Sequence, residues 1–294
     1  MGNLIKIIFF LIIIIGIGVY FFSQSPKIFQ STPGEKTSAP TQTYIAPPSV
    51  DSYFPPSDST SQISDYSIPA GFTRGQLSSY FKKVSISSAY ASSYSGSPSE
   101  IRLYSNLSGS EKIDITGWRI KTNHGEIIIP RAVNIYEPSG FAPEQDIVLS
   151  ANNYVSIYSN TSPISRNLRL NKCTGYLEDI YDFNPQLPQD CPSVSRSEAS
   201  YLSGQCQTYI FSLWGCKLPE VSFYNSLPGT NEGNACRAFL DTINPSTCFQ
   251  KHRSDIDFLS NEWRVWANQS ILDLQHDQVQ LFDSKGFLVD EYKY

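Results

Sequence analysis

The sequence predicts a mainly β protein: a sandwich of short strands, split by a cysteine-rich, partly α-helical insertion and preceded by an N-terminal transmembrane helix. Three observations predict it. Short runs of alternating apolar and polar residues are bounded by Gly, Asn and Ser turn clusters, the pattern of half-buried strands. All six cysteines fall between Cys173 and Cys248. The first 22 residues are almost wholly apolar.

Ile7 through Phe22 carries no polar side chain except the Tyr20 hydroxyl, and Leu4 and Ile5 extend the run across Lys6. Roughly 20 apolar residues span a hydrocarbon core, so residues 1–22 read as a membrane anchor that meets lipid through residues 4–22. A cleaved signal peptide has an apolar core of roughly 7–15 residues and a small-x-small site. Phe21 and Phe22 stand where the small residues belong, so retention is expected. Lys6 lies on one side of the segment and Lys27 and Lys36 on the other, so flanking charge orients it weakly. The short N-terminal tail and the position of the cysteines place the N-terminus in the cytoplasm and the C-terminal domain outside.

Residues 23–70 mix prolines, from Pro26 to Pro69, with many Ser and Thr. Such a segment cannot bury enough surface to offset its ordering entropy, and a disordered stalk is expected. Residues 71–159 read as the first part of the sandwich. Strands are expected at Val84–Ser87, Glu100–Tyr104, Asp146–Ser150 and Tyr154–Ser159. The strongest β signal is Lys112–Thr122, where Ile113, Ile115, Trp118 and Ile120 alternate with polar residues and the phase slips at Gly117, the mark of a bulge. Asn123–Gly125 is a turn, and Glu126–Pro130 the return strand.

Residues 160–262 read as the insertion. Ser195 and Glu198 form a capping box, after which Ala199, Leu202, Cys206, Tyr209, Ile210 and Leu213 share one helical face. A second helix is expected over Asn231–Ile243, ended by Asn244-Pro245, and a third over Ser254–Trp263. Residues 263–294 supply the closing strands. Val279–Asp283 and Phe287–Asp290 flank a three-residue loop in which Gly286 provides the positive φ.

The β runs resemble the lamin-tail domain, an immunoglobulin-like β-sandwich found on many bacterial and archaeal surface or secreted proteins. Ile113-Asp-Ile115-Thr-Gly117-Trp118-Arg-Ile120 carries the likeness, with Gly125–Pro130 and the closing Leu281-Phe-Asp283-Ser-Lys-Gly286-Phe-Leu-Val289-Asp290. The resemblance covers residues 100–160 and 265–294 and departs from the family by the long insertion. The whole arrangement is similar to membrane-anchored lamin-tail proteins of candidate-phylum bacteria. The resemblance implies a binding or tethering module, and its motif carries no catalytic residue.

Six cysteines in one local segment of an exported domain imply three disulfides. Cys173, Cys191, Cys206, Cys216, Cys236 and Cys248 allow fifteen pairings, and the sequence does not choose among them. No Cys-x-x-Cys occurs, and Cys248 with His252 lacks a second close pair for zinc. No phosphate loop, dinucleotide fingerprint or Gly-x-Ser-x-Gly is present, so neither metal nor cofactor is expected. A hydrolase centred on His252, Asp255 and Asp257 is the alternative to a non-catalytic module; against it, acids favour a helix N-terminus. Trp118 has the phase of a core residue, while Trp214, Trp263 and Trp266 would form a carbohydrate platform if exposed. His124 is expected in an exposed turn. Asn106, Asn160 and Asn268 head glycosylation sequons that matter only in a host that uses them. Only 17% of residues are charged, against about 25% in typical soluble domains. The net charge of −5 argues against nucleic acid as a partner. Envelope polymer or another surface protein is expected instead.

Overall fold

Alternation along Val84–Tyr90 (β1) turns Val84 and Ile86 inward, and Glu100–Ser105 (β2) does the same with Ile101 and Leu103. The computed structural model describes residues 63–138 and 142–294. The further strands are Ile113–Asp114 (β3), Arg119–Lys121 (β4), Glu126–Ile128 (β5), Ala132–Val133 (β6), Glu144–Gln145 (β7), Val148–Leu149 (β8), Tyr154–Tyr158 (β9), Leu168–Asn171 (β10), Leu259–Trp266 (β11), Gln278–Phe282 (β12) and Leu288–Lys293 (β13). They form a seven-stranded sheet of order β1-β2-β9-β11-β10-β6-β7, a four-stranded sheet of order β13-β12-β4-β5, and the β3–β8 pair. Two pairs are parallel, β9 with β11 and β6 with β10. The protein is therefore mainly β, with few and short helices. The expected anchor over residues 4–22, and the stalk up to residue 62, lie outside the described residues. Among the described residues no helix is long and apolar enough to cross a membrane. Ile63 and Ile68, within the interval expected as stalk, pack against Leu77, Phe81 and Leu288.

The main core lies between the two larger sheets. Leu103, Ile115, Ile120, Val155, Val265 and Leu281 are among its fully buried members, each worth about 1.5–3 kcal/mol of transfer free energy. The first and last strands are tied across the sheets. Asp290 in β13, its side chain 3% exposed, accepts the Ile86 N–H at 2.7 Å and pairs with the Lys82 ammonium. That carboxylate satisfies a donor on the free edge of β1, the side of the sheet that otherwise invites foreign strands.

Three sequence expectations are corrected. Lys112–Thr122 is not one strand with a bulge. β3 pairs with β8 and β4 with β5 and β12, so the chain changes sheets between them. The phase slip marks this corner. Gly117 sits at φ +78°, a conformation that costs an L-residue roughly 1–2 kcal/mol, and the Trp118 N–H closes the turn on the Ile115 carbonyl. The helix expected from Ser195 begins later, at Gly204–Ser212 (α1), capped by Ser203. The Ser195–Glu198 capping box does form its reciprocal bonds, but it holds a run of turns. The helix expected over Ser254–Trp263 is replaced by β11. Its period of two buries Trp263 and Val265 in the sandwich and Glu262, Arg264 and Trp266 on the opposite face.

Between Asn171 and Leu259 the chain leaves the sheet. Besides α1 it forms Val221–Ser226 (α2), Asn231–Leu240 (α3) and Pro245–His252 (α4). Asn244-Pro245, expected as a terminator, also starts α4. Asn244 Oδ1 accepts the Thr247 N–H at 2.8 Å, and proline occupies the first turn, where its missing N–H is no loss. This segment has its own core around the cysteines, with Ala199, Ile210 and Leu240 fully buried. The pairs are Cys173–Cys248, Cys191–Cys216 and Cys206–Cys236, and the described residues contain no free cysteine. A Cβ on Gly175 would stand 2.2 Å from Cys216 Sγ and 2.4 Å from the Pro188 carbonyl, so the Cys191–Cys216 bridge closes against bare backbone there.

A third cluster joins this segment to the large sheet. Phe183 and Leu187 pack on Leu168, Leu170 and Trp266. Beside them lies a buried ion pair. Arg264 Nε donates to Glu262 Oε1 at 2.6 Å, with side chains 7% and 10% exposed. Arg264 Nη1 donates to the Pro185 and Gln186 carbonyls at 2.8 and 2.9 Å, and the Tyr154 hydroxyl donates to Glu262 Oε2 at 2.9 Å. Burial first, then the neighbouring Glu262, pushes the Tyr154 phenol up to about 12.

Candidate functional site

The residues singled out for chemistry at the insertion gather in one place, and a second candidate place lies elsewhere. Lys172 follows β10, and Asp255 and Asp257 precede β11, so antiparallel pairing of those strands brings them together. Lys172 Nζ lies 2.9 Å from Asp255 Oδ2 and 2.5 Å from Asp257 Oδ1, and His252 Nδ1 is 3.0 Å from Asp255 Oδ2. The two acids stand beyond the C-terminal end of α4, not at a helix N-terminus. Their hydrogen bonds to Lys172 hold both carboxyls below the usual range, and those bonds in turn raise the Lys172 ammonium. A general base works best with a pKa near the operating pH, and these groups are driven the other way. Cys248, bridged to Cys173, has no thiol to act as nucleophile. The cluster is built as a clasp where the inserted segment leaves the sheet, beside the Lys172 N–H to Phe258 carbonyl bond.

A second polar pair braces the same region. Glu198 receives the Lys251 ammonium at 2.8 Å and both Ser195 donors, and these bonds pull its carboxyl from the ordinary 4.5 down to about 2, Lys251 contributing most. A depressed carboxyl stabilises the fold above its unfolded pKa and loses that contribution as pH falls toward 2. The side chain is 42% exposed, so solvent screens the effect and the stability change is small. A carbon-detected NMR titration is expected to place the Glu198 midpoint near 2 in the native chain and back toward the ordinary carboxylate range in Lys251→Met.

The tryptophans divide by exposure. Trp118, Trp263 and Trp266 are buried, and Trp214 is 74% exposed, so three of the four cannot serve as an open platform. His124 is half exposed, with Nε2 3.2 Å from Asp273 Oδ2. Among the described residues no group of three or more His, Cys, Asp or Glu side chains could hold a metal ion.

The second place is a groove of about 560 Å³, built by three separate segments. The Asp114–Trp118 corner forms one wall. Asp114 Oδ1 accepts the Thr116 N–H at 2.9 Å, and Thr116 Oγ1 accepts the Ile147 N–H at 2.7 Å. The turn between β12 and β13 forms another. Asp283 Oδ1 accepts the Lys285 and Phe287 N–H groups, both at 2.9 Å, its Oδ2 accepts the Ser78 hydroxyl at 2.7 Å, and Gly286 takes φ +89°. Residues 74–80 complete it, with the Tyr80 ring stacked on Trp118 at 5.7 Å between centroids. Ile113, Ile115 and Ile120 anchor the corner in the core. The motif residues thus shape two tight turns, and the groove lies between them. Sequence reading missed Tyr80, Lys285 and Phe287 as surface candidates, because turn residues beside a strand have no periodic signal. No family model, curated protein or solved structure matches this chain.

Proposed function

We propose that the chain is a non-catalytic binding module of the cell envelope, tethered to the membrane through residues 4–22 and displayed outside the cytoplasm on the Pro/Ser-rich stalk. The observation that carries this reading is the complete pairing of the six cysteines within one segment, since stable structural disulfides belong to oxidising compartments. The apolar N-terminal run supports the tether. The resemblance to the lamin-tail domain is supported by what its motif residues do. Asp114, Thr116, Gly117, Asp283 and Gly286 each hold a turn rather than serve chemistry, as expected of a fold signature. The Lys172–Asp255–Asp257 clasp, whose hydrogen bonds hold both carboxyls low, and the bridged Cys248 favour this reading over a hydrolase.

Mass spectrometry of the membrane-extracted protein, digested without reduction after alkylation, tests it. The expected result is three linked peptide pairs, no alkylated cysteine and an intact peptide containing residues 1–22. Alkylated thiols throughout, or recovery of the protein from the soluble fraction without that peptide, would remove the tethered, exported reading.

A further inference from the structure

The geometry points to a saccharide-binding site in the groove between residues 74–80, the Asp114–Trp118 corner and the Ser284–Phe287 turn, for an uncharged, hydroxyl-rich glycan chain. This rests on the binding-module reading and names its surface and ligand. A volume of about 560 Å³ lies within the range of roughly 300–1,000 Å³ typical of ligand sites. Two aromatic faces are offered to it. Tyr80 is 38% exposed with its inner face on Trp118, and Phe287 is 40% exposed. The electron-rich face of such a ring attracts the weakly positive C–H groups on one side of a sugar ring.

Several polar groups around these rings make no hydrogen bond among the described residues. Asp114 Oδ1 is used by the corner, whereas its Oδ2 has no partner among the described residues. The hydroxyls of Ser79, Tyr80 and Ser284 and the Lys285 ammonium line the groove and likewise carry no hydrogen bond among the described residues. A sugar hydroxyl donates and accepts at once, so a carboxylate, an ammonium and three hydroxyls around aromatic faces suit it. The charge balance disfavours a polyanion. Arg74 is paired with Asp65, Asp283 Oδ1 is committed to the turn and its Oδ2 to the Ser78 hydroxyl, and Lys285 and Asp114, both lining the groove, carry opposite charges. Phosphate and sulfate sites gather forked, unpaired guanidinium groups, and none is gathered here. The walls are held by side-chain-to-backbone bonds at both turns, so little ordering is needed on binding.

The test uses the full-length protein in detergent micelles, titrated by calorimetry with an N-acetylglucosamine tetramer, a mannose tetramer and dextran sulfate. Co-sedimentation with isolated envelope material is measured in parallel. One or both tetramers are expected to bind. Tyr80→Ala and Phe287→Ser should each weaken that binding about tenfold or more. Asp114→Asn should weaken it severalfold with an unchanged melting temperature, because the amide oxygen still accepts the Thr116 N–H. Sedimentation with envelope that persists in Tyr80→Ala, without tetramer binding, would overturn the groove assignment and leave the binding-module reading standing. Binding of dextran sulfate alone, or tetramer binding indifferent to all three substitutions, would also overturn the assignment. Failure of both sedimentation and titration would overturn the assignment and the binding-module reading together.

Discussion

Arg264→Met is expected to destabilise the domain by about 3–5 kcal/mol, the usual cost of removing one partner of a buried ion pair. The cost has two sources. Glu262, its side chain only 10% exposed, loses its counter-ion and retains the Tyr154 hydroxyl as its one donor among the described residues. The Pro185 and Gln186 carbonyls lose the donor that ties the inserted segment to the sheet, at about 1–3 kcal/mol for each acceptor left dry. A double substitution, Glu262→Gln with Arg264→Met, removes the orphaned charge and should recover part of the loss. Urea unfolding of the native protein and the two variants, followed by tryptophan fluorescence, checks this order. A loss below about 1 kcal/mol in the single variant would mean that water reaches the pair and that it behaves as a surface bridge.

The second large effect is expected from Cys173→Ala with Cys248→Ala. These residues are 75 apart in sequence, against 25 and 30 for the other two pairs. In the chain-entropy view the longest loop gains most from closure, about 4.5 kcal/mol at this length. The inner two bridges interleave and shorten the path they leave, so the measured loss should fall within the general range of about 2–4 kcal/mol. Its location is specific. Cys173 stands two residues past β10 and Cys248 lies in α4, so the variant should loosen the junction with the sheet while the Cys206–Cys236 core stays protected. Hydrogen exchange resolves the two regions. Faster exchange around residues 172–180 and 245–258, with the sandwich strands unchanged, is the expected pattern. Uniform acceleration across the sandwich would show instead that the bridge supports the whole domain.

What was legible in the sequence was local and periodic. β1, β2 and β12 follow from alternation, because one face of each is the more deeply buried, and Gly286 marks the β12–β13 turn; β9 follows from its apolar residues and the preceding Asn turn, although both its faces are covered. β11 was misread for a physical reason. It is covered on both faces, so Glu262 and Arg264 sit at buried positions and the alternation of polarity disappears. α4 was missed because proline after asparagine signals both the end of one helix and the start of the next. The Gly117 slip was visible, but a bulge and a sheet-changing corner leave the same trace in one dimension; only the partners of β3 and β4 separate them. At the groove, the turn-forming residues Asp114, Gly117 and Gly286 were found, while Tyr80 and Phe287 were not, since their proximity depends on segments about two hundred residues apart. The disulfide pairing was likewise a matter of which segments meet.

The place where the cysteine-rich segment is rooted sets what it costs the fold. β10 and β11 are antiparallel neighbours, with Arg169 opposite Trp263, so everything between Asn171 and Leu259 replaces what a short turn would do. The entropy of closing such a connection grows only slowly with its length. The strand order of the sheet therefore depends little on the length of this connection. What the connection covers matters more than how long it is: without it, Arg264 and Glu262 would be two charges on a face of β11 stripped of the carbonyls and apolar side chains that now keep it dry.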